Sequence, residues 1–151
     1  MTIVIIDDCA LTTAILKGLA GGRGARAVTT FTSPLKALEF LEVTAATAIV
    51  VDCSMPELDG IEVIRRVRSG VVNSAVPIIM VTGAENEEAL RLATEAGVTH
   101  FLRKPVKTHE FKAVLAQTLP DGGWPLISRR ESDTALPEGM VDRRRPQALE
   151  A

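Results

Sequence analysis

The sequence has no tyrosine, one tryptophan and four phenylalanines among its 151 residues. So few rings leave little for stacking nucleobases. Nor is there a surplus of charge of one sign: 17 Lys and Arg stand against 19 Asp and Glu, a formal net charge of −2. Neutralising a phosphate backbone requires a clear cationic excess, so direct nucleic-acid binding is not expected. Cysteine is scarce as well. Cys9 and Cys53 form no CxxC pair and show no Cys/His metal spacing, and two free thiols suit a reducing compartment. No apolar run approaches the length of a membrane span. The opening stretch, MTIVIIDD, has neither the basic leader nor the cleavage site of a signal peptide. The expectation is a cytoplasmic protein that does not engage membranes. Gly21-Gly22-Arg23-Gly24 lacks the Gly-Lys-Ser/Thr ending of a phosphate-binding loop, so nucleotide binding is unsupported.

What is present is a globular balance, 46% hydrophobic and 24% charged residues. The length fits one domain able to bury a core without disulfides. Short apolar runs recur at Ile3–Ile6, Ala27–Phe31, Ala48–Val51, Val76–Val81 and Val98–Leu102. The first, third and fourth are β-branched and unbroken by polar residues, as in strands of a parallel sheet covered on both faces. Between the runs lie stretches of helical period. Leu11, Ile15, Leu16 and Leu19 line one face of the first, and Leu35, Leu38 and Leu41 mark the second, after Ser33-Pro34 as cap and first turn. Ile61, Ile64 and Val67 mark the third, entered through Asp59-Gly60. The fourth runs from Glu85 to Ala96 and stops at Gly97, and Phe111, Val114, Leu115 and Leu119 mark the fifth. Five strand–helix repeats with right-handed crossovers predict a doubly wound α/β fold, a three-layer sandwich with a five-stranded parallel sheet. Residues 1–119 form the predicted domain. Residues 120–151 hold four of the eight prolines, three glycines and eleven charges, and read as a tail or linker with a docking segment at Trp124–Ile127 or Glu138–Arg145.

In such a fold ligands sit beyond the carboxyl ends of the strands. Asp7 and Asp8 end the first predicted strand, Asp52 the third and Thr82 the fourth, and Lys104-Pro105 follows the fifth. Three carboxylates brought together repel unless one is protonated or a cation sits among them. Oxygen ligands without His or Cys favour a hard ion, Mg²⁺ or Mn²⁺. A lysine charge and a hydroxyl donor beside them suit a phosphoryl group in transfer, and one carboxylate can serve as nucleophile.

These residues, with Asp52-Cys53-Ser54-Met55-Pro56-Glu57-Leu58-Asp59-Gly60, Val81-Thr82-Gly83-Ala84 and Phe101-Leu102-Arg103-Lys104-Pro105, resemble the receiver domain of two-component response regulators over residues 2–119. The resemblance implies a flavodoxin-like strand order, 2-1-3-4-5. It implies that Asp52 is the phosphoacceptor, and that Asp7, Asp8, Asp52 and the Ser54 carbonyl hold Mg²⁺. Lys104 is then the phosphoryl partner, on a cis bond to Pro105. Thr82 and Phe101 are the switch, Phe101 turning from outward to inward. The implied partners are a sensor histidine kinase or histidine phosphotransfer protein, docking near Leu11–Ala20 and Pro105, and a downstream effector or output domain. A homodimer through the face of the fourth helix, fifth strand and fifth helix is compatible with it. Gly83 for alanine, Phe101 for tyrosine and Cys53 for an aliphatic residue depart from the commonest pattern, and none removes a reactive group.

Other classes compete. One is a pseudo-receiver that binds partners without phosphorylation, and another is the regulatory front of an output enzyme such as a cyclic-dinucleotide phosphodiesterase. An aspartate-nucleophile phosphatase usually needs a second aspartate where Ser54 stands, and flavin binding lacks a phosphate cradle. Cys9 and Cys53 are read as small buried thiols at neighbouring strand ends rather than a redox pair, and His100 and His109 as surface residues.

Overall fold

The computed structural model describes residues 2–21, 27–83 and 87–119. Along the chain run β1 (Thr2–Ile6), α1 (Ala10–Gly21), β2 (Ala27–Phe31), α2 (Pro34–Val43) and β3 (Ala48–Asp52). Then come α3 (Gly60–Ser69), β4 (Ile78–Thr82), α4 (Glu87–Ala96), β5 (His100–Arg103) and α5 (Thr108–Thr118). The strands form one parallel sheet in the order β2-β1-β3-β4-β5. The expected three-layer architecture and strand order are both present.

The unbroken apolar runs follow from burial on both faces. Successive side chains point to opposite sides of a strand, so Val4, Ile6, Ile49, Val51, Ile78, Met80 and Phe101 enter one core with α2, α3 and α4. Ile3, Ile5, Ala48, Val50, Ile79, Val81 and Leu102 enter a second core with α1 and α5. Local chemistry sets the helix ends. Ser33 caps α2, accepting from the Lys36 N–H at 3.3 Å, with Pro34 in the first turn. Asp59 caps α3, accepting from the Glu62 N–H at 2.8 Å. Gly97 ends α4 at φ +109°, a conformation that glycine alone adopts without strain.

Two polar side chains stitch the ends of the helices together. Asn73 is buried and donates to the carbonyls of Leu41 at 2.8 Å and Thr44 at 2.9 Å, while its amide oxygen accepts from the Ala46 N–H at 2.8 Å. Truncating it leaves buried backbone groups unpaired. Asn73→Ala is expected to cost about 2 kcal/mol, read as a lowered urea midpoint at unchanged m-value. Arg68, half-buried, donates through Nε and Nη2 to the Gly97 carbonyl at 3.1 and 2.7 Å, and through Nη1 to those of Val76 at 2.5 Å and Ser74 at 3.2 Å.

The structure corrects three readings. On α1 the buried face is Thr13, Leu16 and Ala20, whereas Leu11 is 70% and Ile15 54% exposed. The apolar stripe is wider than the strip the sheet covers. His100 is fully buried, not at the surface, because it opens β5 and shares a strand face with Leu102 in the α1–α5 core; His109 is exposed as expected. β5 is His100–Arg103, displaced from the expected Val98–Leu102. Glu85 and Asn86 of the expected fourth helix, Gly22–Gly24 and the tail 120–151 lie outside the described residues.

Candidate functional site

The register of the sheet builds the site. Ile6 pairs with Val51, Asp52 with Val81 and Thr82 with Arg103, so the carboxyl ends of β1, β3, β4 and β5 finish nearly level. Three backbone bonds continue the pairing past the strands: Asp7 N–H to Phe31 at 3.1 Å, Cys53 N–H to Val81 at 2.9 Å and Lys104 N–H to Thr82 at 2.8 Å. The next residues along each chain therefore emerge at one crevice. Lys104-Pro105 is cis.

Lys104 Nζ lies 2.9 Å from Asp52 Oδ1 and 3.7 Å from Asp7 Oδ2. Asp7 is buried, and its Oδ1 accepts from the Cys9 N–H at 2.8 Å, an Asx turn that fixes the carboxylate plane. Its Oδ2 is buried without a hydrogen-bond partner. Asp8 is exposed, and Asp7, Asp8 and Asp52 each offer an oxygen within 4.8 Å of the others. An ion pair alone would lower the Asp52 pKa, yet it is raised. Burial is the largest cause and outweighs the Lys104 hydrogen bond, and the charges of Asp7 and Asp8 push the same way. Burial pulls Lys104 down, but the hydrogen bond to Asp52 and the charges of Asp52 and Asp7 prevail and raise it.

A divalent cation fits this arrangement. The donors are all oxygen, the carboxylates are held close against their mutual repulsion, and Asp7 Oδ2 is a buried acceptor without a hydrogen bond, 3.7 Å from its cationic neighbour Lys104. The residues suit Mg²⁺ or Mn²⁺ better than a soft metal.

Thr82 is buried at the end of β4, and Ser54 stands exposed two residues past Asp52. Phe101 is 3% exposed and packs in the α2–α4 core, so it occupies the inward position here. Cys9 is exposed rather than buried, and its thiol pKa is lowered by hydrogen bonds from the Thr12 hydroxyl and the first N–H groups of α1. Cys53 is half-buried, and burial followed by the Asp52 charge raises its pKa. Both are free thiols. Two contributors carry no sequence signal of their own. The Cys9 N–H orients Asp7, and Ser33 Oγ donates to Glu57 Oε1 at 2.8 Å, tying the start of α2 to the loop after Asp52.

The family model for the response regulator receiver domain matches residues 3–116. The chain belongs to that family. The receiver is 28% identical over 120 residues to the chemotaxis protein CheY1 of Helicobacter pylori strain 26695, covering 79% of this chain and 97% of that one. It is 33% identical over 114 residues to the cyclic di-GMP phosphodiesterase response regulator RpfG of Xanthomonas campestris pv. campestris, covering 75% of this chain but only 30% of that protein. Among solved structures it resembles the receiver domain of the Pseudomonas aeruginosa sensor histidine kinase PA1611. There the identity is 26%, the TM-score 0.70, and the coverage 77% of this chain and 94% of that one. That structure has a magnesium ion coordinated in its active-site cleft. No helix among the described residues of this receiver is long and apolar enough to cross a membrane.

Proposed function

We propose that this receiver is a phosphorylation-operated switch in the cytoplasm, with residues 1–119 as the switching domain and 120–151 as a tail or linker. The observation that carries the reading is the grouping of Asp7, Asp8 and Asp52 within 4.8 Å, with Lys104 2.9 Å from Asp52. Asp7, Asp8, Asp52 and the Ser54 carbonyl would hold Mg²⁺, which would supply charge neutralisation for the phosphoryl oxygens. An ionised Asp52 oxygen attacks the phosphorus of a phosphohistidine on a sensor kinase or phosphotransfer protein. The new O–P bond forms as the P–N bond breaks, and the imidazole leaves with its electron pair. Lys104 offers its ammonium to the incoming oxygens, and the Thr82 hydroxyl donates to one of them. Water later attacks phosphorus and restores the carboxylate, so the reaction is self-modification rather than turnover on a foreign substrate. The exposed pair Leu11 and Ile15 on α1, one turn apart, gives the donor's helices an apolar landing strip. Phe101 already lies inward here, so phosphorylation would act by holding that position on the α4–β5–α5 face that an effector, or a second copy, reads.

Intact mass after incubation with acetyl phosphate tests this. A gain of one phosphoryl group with Mg²⁺ and none with a chelator is expected. A chain that binds Mg²⁺ yet takes no phosphoryl group, either from acetyl phosphate or from phosphorylated donor proteins, would leave a pseudo-receiver. A second reading, a regulatory receiver ahead of an output enzyme, is favoured by RpfG, in which the matching region is 30% of the length.

A further inference from the structure

The strand order β2-β1-β3 places the end of β1 between the ends of β2 and β3. The stretch Phe31–Ser33, where β2 ends and α2 is about to begin, makes bonds to both of these neighbours. The Phe31 carbonyl accepts from the Asp7 N–H at 3.1 Å. Two residues on, Ser33 Oγ donates to Glu57 Oε1 at 2.8 Å, in the loop that joins β3 to α3. An ionised carboxylate can only accept, so the hydroxyl hydrogen goes to Glu57. A lone pair on the same oxygen takes the Lys36 N–H. The hydroxyl therefore works in both directions, as the cap of α2 and as a strap to the β3–α3 loop.

We propose that Ser33 and Glu57 are positioning residues for the divalent cation, an inference that rests on reading the crevice as a Mg²⁺ site. The ligands of that reading fall into two sets, Asp7 and Asp8 after β1, and Asp52 and the Ser54 carbonyl at the end of β3. Phe31–Ser33 refers both sets to one piece of chain, the first through the Asp7 peptide and the second through Glu57. The nearer half of the loop has fastenings of its own. The Cys53 N–H donates to the Val81 carbonyl, the Cys53 carbonyl accepts from the Gly60 N–H, and Met55 is buried in the α2–α4 core. Pro56 and Glu57 then turn out to solvent, and the strap fastens that outer half to the chain after β2. Mg²⁺ demands near-ideal octahedral spacing, and the hydrogen bonds behind its ligands contribute to affinity. Releasing the strap frees the Ser54 carbonyl to drift relative to Asp7.

Calorimetric titration of the whole chain with Mg²⁺, without any phosphodonor, tests this. Ser33→Asp keeps a good helix cap but has no hydrogen to give Glu57. Its added negative charge would by itself tighten cation binding, so weaker binding reports the lost strap. Glu57→Ala removes the acceptor, whereas Glu57→Gln retains an acceptor oxygen. Ser33→Asp and Glu57→Ala are each expected to weaken Mg²⁺ binding about three- to fivefold. The double variant is expected to be no weaker than the worse single one, and Glu57→Gln to bind like the unmodified chain. Unchanged affinity in both single variants overturns the proposal, as do losses that add. So does a loss in Glu57→Gln equal to that in Glu57→Ala, which would assign the effect to charge. A chain that binds no Mg²⁺ overturns the strap together with the metal site. The expected pattern of affinities in a chain that takes no phosphoryl group upholds the strap and overturns the phosphoryl reading alone.

Discussion

Asparagine at position 52 is expected to abolish the phosphoryl adduct outright and, without divalent cations, to give a more stable protein. The first effect follows from removing the only carboxylate among the described residues that Lys104 approaches within 3 Å. The second follows from electrostatics. The folded-state pKa of Asp52 is raised, chiefly by burial and against the Lys104 hydrogen bond, so the fold disfavours its ionised form. Below the unfolded-state pKa, about 3.9, the group is protonated in both states and contributes nothing. As pH rises from there through the raised folded pKa the penalty develops, and above that it is complete. Wild type and Asp52→Asn should therefore match in urea midpoint at acid pH and separate towards neutrality, with the variant ahead. Lys104 loses a partner in the variant, but its side chain is 35% exposed and water screens much of that loss. Added Mg²⁺ should reverse the order, because a ligand at free concentration L that binds only the folded state stabilises it by RT ln(1 + L/Kd), and the aspartate protein binds Mg²⁺ more tightly than the asparagine variant. An adduct surviving in Asp52→Asn would move the acceptor elsewhere; identical stability of the two proteins at every pH would sink the electrostatic account.

Gly60→Ala is expected to be the most damaging conservative change near the site. A Cβ at Gly60 would collide with the Asp52 carbonyl oxygen and lie 3.1 Å from both the Asp52 carbonyl carbon and Cys53 Cα. These are backbone atoms, which no rotamer change can move aside. The Gly60 N–H also donates to the Cys53 carbonyl at 2.9 Å, so α3 begins pressed against the end of β3. Relieving the clash means displacing the peptide that carries Asp52. A cost of about 3 kcal/mol is expected, together with at least tenfold slower adduct formation from acetyl phosphate at saturating Mg²⁺. Unchanged kinetics would mean that the helix start yields and the strand end does not.

Residues whose position depends on strand order alone were legible in the sequence. Asp7, Asp52, Thr82 and Lys104 each follow an apolar run, and a parallel sheet gathers all such positions at one edge. The alternation within those runs was not needed, since both faces are covered. What periodicity could not show was which side of an apolar stripe the sheet would take. Leu11 and Ile15 belong to the same helical pattern as Leu16, yet they face water. His100 shares the parity of Leu102 under either set of strand bounds, so alternation places it on the buried face; only its polar side chain suggests the surface. Asn73 and Arg68 carry no local signal, because their partners are carbonyls up to 32 residues away whose needs arise only once the helices are placed.

The grip of Arg68 on Gly97 has a mechanical consequence. One end of α4 is pinned to α3 by charge-assisted bonds of 2.7 and 3.1 Å, while the other follows the strand end that carries Thr82. A rod hinged at one end swings rather than slides. If Thr82 is drawn inward as the proposed switch requires, the free end of α4 at Glu87 would swing in an arc about the pinned end at Gly97, and a partner on α4 would sense an angle.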